Sequence, residues 1–280
     1  MQSHPLDVSS AVQIMKTFFN IALLAFFAAS FSTIAHAQSA GDAAGEGAAD
    51  SVVKQTVSAQ NKAELNIRAR LMAARPDIPI LAIQEAQIPG FYDVFLPAGQ
   101  VLHFTADGKH FYTGDLYGVT DELVNLTEQG RAGERMQLLG SMEESQMVVF
   151  SPPKERVKAT VTVFTDIDCV FCRKLHNEVP ELNRLGIAIR YMAYPRSGLG
   201  SPSYDKLVSA WCSDNPKMAL TRAKAEIEIP EAHCDNPVAA QFELGGRLGI
   251  NSTPTLIFED GTLSRGYMPA ADLATTLGVL

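Results

Sequence analysis

Phe164-Thr165-Asp166-Ile167-Asp168-Cys169-Val170-Phe171-Cys172-Arg173-Lys174 reads as the end of a β-strand, a turn, and a Cys-x-x-Cys that opens a helix. Val161, Val163 and Phe164 supply the apolar character of a buried strand. Cys172, Leu175, His176 and Val179 then recur at helical spacing. Two thiols at i and i+3 on a first helical turn suit dithiol redox chemistry. The first sulfur is expected exposed at the positive helix end, and the second one turn below, able to resolve a mixed disulfide. Cys-x-x-Cys is also half of a zinc site, so the rest of the chain must decide between the two.

Working outward, a strand is expected over 159–165, a helix over 169–183 and a second strand over Ile187–Ala193. An irregular stretch, 195–205, precedes several helices. One contains Leu207–Trp211, one is signalled by Asn215 with Pro216, and one by Asn236 with Pro237, ending near Gly249. A strand at Thr255–Phe258, a turn at Asp260-Gly261, another strand and a helix from about Pro269 close the chain. Strand–helix–strand, a helical insertion, then a hairpin and helix is an α/β sandwich.

Upstream, Leu65, Ile67, Leu71 and Met72 suggest a short helix stopping before Pro76. Short strands are expected at 78–84, 90–97, 100–105 and 110–118, with Asp107-Gly108 as a two-residue hairpin turn. A unit of this size, 61–120, holds little core and has several edge strands, which favours dimerisation through them over the alternative that it packs on the C-terminal half as part of one domain. Residues 121–146 read as a linker. Its helix, 127–144, has Thr127 as N-cap and is largely polar, and it leads into a catalytic unit at 147–280.

At the N-terminus, Met15-Lys16, an apolar run from Phe18 to Phe31, and Ala35-His36-Ala37 have the parts of a cleaved secretory signal peptide, 15–37. The apolar run is short for a membrane-spanning helix. Residues 1–14 fit no targeting pattern, so Met15 is the expected translation start. Residues 38–60, rich in Ala, Gly, Ser and acidic side chains, read as a flexible tether. The net charge of −8 and the lack of a long basic run argue against nucleic acid as a partner.

Export changes the meaning of the four cysteines. An even number in an oxidising compartment favours disulfides over structural zinc. Cys212 and Cys234 lack the spacing that would complete a Cys₄ or Cys₂His₂ set. The simplest assignment is a redox-active Cys169/Cys172 pair, a structural Cys212–Cys234 bridge, and no metal or other cofactor. A bridge of that loop length contributes about 3 kcal/mol in the chain-entropy model.

Phe164–His176, Tyr194-Pro195-Arg196, Trp211-Cys212, Ser252-Thr253-Pro254 and Gly266-Tyr267 together resemble periplasmic thiol:disulfide interchange proteins of the DsbC/DsbG type. Phe104–Tyr112 and the connector resemble that family's N-terminal dimerisation domain and linker helix. The resemblance covers about Leu65 to the C-terminus. It implies a V-shaped homodimer whose arms end in thioredoxin-fold domains with a helical insertion, with disulfide isomerase and chaperone activity. It also implies misoxidised exported proteins as substrates and a membrane reductase of the DsbD type as electron donor. Carried over by position, Cys169 is the attacking thiolate, Cys172 the resolving thiol and Pro254 a cis-proline facing them. Thr253 offers backbone groups to a substrate strand. A reductase of single oxidised cysteines, a chaperone acting mainly as a holdase, and metal binding at Cys169/Cys172 are the competing readings.

Between the cysteines stand Val170-Phe171, where Gly-Tyr or Pro-Tyr is associated with that family. Asp166 and Asp168 would raise the Cys169 thiol if they face the sulfur. Arg173 reads as a solvent-exposed arginine, and His176 as a structural histidine.

Overall fold

Alanine, glutamate, glutamine and lysine favour helix over coil, and residues 46–60 are rich in them. In the computed structural model, which describes residues 46–280, with side chains from 59 onward, a helix α1 accordingly runs Glu46–Ala74. Residues 46–60 of the expected tether therefore continue the helix predicted from 61. The rest of the tether at 38–45, the signal peptide at 15–37 and the extension at 1–14 lie outside the described residues. Ala63, Ile67 and Leu71, spaced four apart, are buried on one face of α1. They pack with Ile83, Tyr92, Val94, Leu96 and Phe104 in a small core.

Those partners belong to an antiparallel sheet of four strands in sequence order: β1 (Ala82–Glu85), β2 (Phe91–Leu96), β3 (Gln100–Thr105) and β4 (Phe111–Thr113). The turn at Asp107-Gly108 occupies 106–109 rather than two residues. Thr105 N–H donates to His110 O across it. The Asp107 carboxylate accepts from the Thr105 hydroxyl and the Lys109 N–H, which stabilises the longer loop. The strand expected over 110–118 is divided at Gly114, whose φ of 124° no β-branched residue would adopt. Its second part, β5 (Tyr117–Val119), pairs instead with an unforeseen β6 (Leu123–Asn125).

The connector is α2 (Leu126–Leu139). Its N-cap is Asn125, whose side chain accepts from Glu128 N–H, and not Thr127. Thr127 is turned inward, where its hydroxyl accepts from Leu116 N–H at 2.8 Å. Gly140 ends the helix before the expected 144.

Beyond α2 come β7 (Val148–Phe150), β8 (Ala159–Thr165), α3 (Val170–Asn177), α4 (Val179–Leu185) and β9 (Ile187–Ala193). They are followed by α5 (Pro202–Trp211), α6 (Pro216–Lys224), α7 (Val238–Arg247), β10 (Thr255–Ile257), β11 (Leu263–Arg265) and α8 (Ala270–Thr276). The single helix expected over 169–183 is two, because Pro180 has no N–H to donate and its ring would clash with the carbonyl one turn back. The sheet order is β11-β10-β8-β9-β7, with only β8 and β9 parallel. Central β8 is buried on both faces, which explains its nearly continuous apolar run. Val161, Val163, Leu175, Leu182, Ile187, Ile189, Tyr191 and Leu256 form the main core under α3, α4 and α8. Each such aliphatic side chain contributes about 1.5–3 kcal/mol when fully buried.

The first sheet, α2 and the second sheet touch closely. Gly249, at φ +78°, lies where an added Cβ would sit 2.8 Å from Ala98 O. Arg135 donates to Gly261 O at 2.7 Å, and Arg131 to Gly99 O at 2.9 Å. No helix among the described residues is long and apolar enough to cross a membrane.

Candidate active site

Strand β8 ends at Thr165, and the next four residues turn the chain so that α3 begins just after Cys169. The turn is built by Asp166. Its carboxylate accepts from Asp168 N–H at 2.8 Å, from Arg196 N–H at 2.9 Å and from the Ser203 hydroxyl at 2.5 Å. These donors hold it ionised, below the ordinary carboxylate range despite its burial. Asp166 is thus a bracket between β8, the loop after β9 and α5, with its oxygens spent on these donors and not on a sulfur. Asp168 pairs outward with Lys206 at 2.8 Å. Arg173 is not simply exposed. It donates to Ile167 O at 2.9 Å and pairs with Glu226, because α6 and the loop after it fold over this end of α3.

Cys169 stands at the N-cap of α3 and Cys172 within its first turn, both as free thiols. The first sulfur is not exposed as expected: Cys169 has only 2% of its surface accessible. The reason is the loop before β10. Its Thr253–Pro254 peptide is cis, and Thr253 O lies 3.2 Å from Cys169 Sγ, accepting from it in the thiol form. Pairing of β10 with β8, Thr255 opposite Phe164, brings this loop against the cysteines from a point 84 residues away. Val170 and Phe171, by contrast, are strongly exposed beside the buried pair.

The two thiols are driven apart. Cys169 is lowered to about 5, first by the hydrogen bond that Cys172 donates to its thiolate. The Thr253 hydroxyl, the Cys172 N–H and the charge of Arg196 act in the same direction, against burial. The Thr253 hydroxyl is buried and has no hydrogen-bond partner while Cys169 is a thiol, which leaves it free to donate when the sulfur ionises. Cys172, wholly inaccessible, is pushed upward by burial and by the proton it shares with Cys169. His176 is held by Tyr191 Oη and Thr221 Oγ1 at 3.2 and 2.9 Å, and burial lowers it to about 4, so it stays neutral.

Elsewhere, Cys212 at the end of α5 and Cys234 before α7 are joined by a disulfide with Cα atoms 5.5 Å apart. No group of three or more metal-ligating side chains occurs among the described residues. A cleft of about 430 Å³ lined by Asp168, Arg173, Lys206 and Glu226 flanks the site, but neither free sulfur lines it. Sequence reasoning missed the Thr253 hydroxyl, Ser203 and Lys224. Only Lys224 left a signal: a lysine on the buried stripe of α6, four residues after Leu220.

A thiolate held ready beside a protonated thiol is poised to exchange with a third sulfur, and with this fold it defines a thioredoxin-like thiol:disulfide oxidoreductase. A family model described as a thioredoxin-like domain matches residues 144–279. Another, described as a disulfide bond isomerase protein N-terminal domain, matches residues 47–128. The thiol:disulfide interchange protein DsbC of Dickeya dadantii is 34% identical over 215 residues, covering 75% of this chain and 87% of that protein. DsbC of Escherichia coli K12 is 36% identical over 192 residues, covering 68% and 78%. A disulfide interchange protein from Neisseria gonorrhoeae aligns in structure at 29% identity and a TM-score of 0.44, over 49% of this chain and 96% of that one. The chain belongs to the DsbC family of thiol:disulfide interchange proteins.

Proposed function

We propose that the protein is a disulfide isomerase of exported proteins, with Cys169 as attacking thiolate and Cys172 as resolving thiol. The observation that carries this assignment is the free pair at the start of α3, with Cys169 at the N-cap against Thr253 O and Cys172 wholly buried, which drives one thiol down to about 5 and the other up. At neutral pH Cys169 is therefore ionised while Cys172 keeps its proton. The thiolate attacks a substrate disulfide, forms a mixed disulfide and releases one substrate thiolate. A substrate cysteine can then attack the mixed disulfide and rearrange the pairing. Otherwise Cys172 attacks Cys169 Sγ, frees the substrate reduced and leaves the pair oxidised.

Thr253 serves this sequence twice. Its hydroxyl donates to the thiolate. Its carbonyl, which accepts from the Cys169 thiol, is released on ionisation to accept a backbone N–H of an extended substrate segment. Exposed Val170 and Phe171 give that segment an apolar landing beside the sulfur, which also supports chaperone activity toward unfolded chains. The Cys212–Cys234 bridge staples the helical insertion.

The same reading places the protein in the periplasm, delivered by the signal peptide at 15–37, with domains at 61–120 and 147–280 joined by the linker at 121–146. Two copies associate through edge strand β4 of the first sheet, where Phe111 and Tyr112 are exposed, and through the separate β5–β6 pair, where Tyr117, Val119 and Leu123 are exposed. Isomerisation needs the pair kept reduced in an oxidising compartment, so a membrane donor of the DsbD type completes the cycle.

Recovery of scrambled ribonuclease activity in a glutathione buffer tests the assignment. Cys169→Ala is expected to abolish it, while Cys172→Ala retains rearrangement and accumulates trapped mixed disulfide. Equal recovery by Cys169→Ala and wild type would overturn the assignment.

A further inference from the structure

Lys224 is the last residue of α6, which packs against α3, and only 4% of it is accessible. Its ammonium donates to Thr165 Oγ1 at 2.7 Å and Asp166 O at 3.3 Å, and lies 5.4 Å from the Tyr191 ring centre. Cys172 and His176, one turn apart, share a face of α3, and His176 Nε2 meets Thr221 Oγ1 of α6 at 2.9 Å, one turn before Lys224. Lys224 and the resolving sulfur therefore lie on the packed faces of α6 and α3. Among the described residues Lys224 makes no ion pair with a carboxylate. An ammonium withdrawn from water without such a partner is strongly disfavoured. A hydroxyl and a carbonyl offset part of that cost, and the anion that would offset the rest is a cysteine thiolate.

We propose that Lys224 sets the rate of the resolving step: its charge faces the thiolate that Cys172 becomes on attack, and so biases the mixed disulfide toward reductive release over rearrangement. In that step the Cys172 S–H bond is lost and its sulfur bonds to Cys169 Sγ. The bond from Cys169 to the substrate sulfur breaks. The substrate leaves as a thiolate and takes up, through solvent, the proton that Cys172 released. Over both steps the enzyme pair loses two electrons and the substrate disulfide gains them. Lys224 is a positioning residue in this scheme, acting through Cys172 without touching substrate.

The charged and titratable surroundings agree with this role. Burial lowers Lys224 to about 8, whereas Cys172, Asp166 and Cys169 pull it back up and Arg173 opposes them. His176 stays neutral, pressed down by burial and by Lys224 itself. Burial also keeps the Tyr191 phenol protonated. At neutral pH the lysine is thus mostly charged, and the anions that respond to it are the thiolates and Asp166.

The proposal rests on the dithiol reading, so its test uses a probe independent of isomerisation. Reduced protein is mixed with oxidised glutathione, quenched in acid at intervals, and the Cys169–glutathione mixed disulfide is followed by mass spectrometry across pH. Failure of the ribonuclease assay would sink the proposed function, whereas this assay reads resolution alone. Lys224→Gln keeps a donor for Thr165 and Asp166 but removes the charge. An opposite charge within about 4–6 Å shifts a group by about 1–3 pKa units. Resolution at pH 7 should therefore slow about tenfold or more, with its pH profile displaced upward. The Cys169 alkylation profile should move less, and Lys224→Arg should restore the resolution profile. A resolving rate and profile matching wild type in a folded Lys224→Gln protein would overturn the proposal. If that variant does not fold, Cys169→Ala, which leaves Cys172 as the free thiol of the pair, supplies the test. By linkage, Lys224 must titrate at higher pH there than in Cys169→Ala/Cys172→Ala, read from its side-chain NMR signals. Identical titration in both variants would overturn the proposal equally.

Discussion

The N-terminus of α3 and the α5–α7 insertion each hold two cysteines, and their surroundings could hardly differ more. Cys169 and Cys172 are three residues apart on one helical turn, in a pocket whose donors favour one thiolate and whose burial disfavours the other. Cys212 and Cys234 are 22 residues apart on separate segments of the insertion and are already joined to each other. What separates a reactive pair from a stapling pair here is therefore the donors around the sulfurs more than the sulfurs themselves.

The strongest way to break this contrast is to remove the staple. Cys212→Ala/Cys234→Ala is expected to lose about 3 kcal/mol of stability in urea unfolding, while Cys169 alkylation still titrates near 5. A shift in that titration would mean the insertion tunes the reactive pair. Next comes Thr253→Val, which removes one donor without changing shape. A lost hydrogen bond to a charged group is worth about 1.5–3 kcal/mol, so the alkylation midpoint should rise by about one unit or somewhat more. An unchanged midpoint would show that the hydroxyl does not serve the thiolate.

Stability of the reduced protein gives a third comparison. Cys169 is depressed on folding, so its ionisation stabilises the reduced fold fully above the unfolded thiol's range, and that contribution is lost as pH falls through about 5. The stability gap between reduced wild type and Cys169→Ala should accordingly narrow from pH 9 to pH 5. Arg196→Gln should have the smallest effect. The guanidinium is about half exposed, so the rise in the Cys169 midpoint should be a few tenths of a unit and shrink further in salt.

Much of the catalytic half was legible because its signals are local. β8 is an apolar run, Asn215-Pro216 starts α6, and Asp260-Gly261 turns the last hairpin. The thiol pair was legible for the same reason. The burial of Cys169 was not, since it depends on a loop that reaches the cysteines only through β10–β8 pairing. Likewise, Asp166 reads locally as a threat to the thiolate, and only Ser203 and Arg196, brought from two other elements, turn its oxygens to other work. In the first half, α1 was cut short because an alanine- and glycine-rich stretch resembles a linker in composition. Thr127 and Asn125 both suit the cap by residue type, and only the inward hydrogen bond to Leu116 sets Thr127 apart.

Gly261 has a consequence for how the molecule could flex. At φ +82°, any added Cβ would meet Ala132 O of the connector at 2.1 Å, and its own carbonyl is gripped by Arg135. The hairpin that Gly261 turns begins at Thr255, directly after the cis-proline loop, and Gly266 N–H donates to Pro254 O at 2.8 Å at its other end. Connector and cis-proline loop are thus bolted to opposite ends of one short hairpin. A twist of α2 would arrive at Thr253 as a tilt of the wall against which the Cys169 sulfur rests, making the set of the connector and the tuning of the sulfur a single mechanical variable.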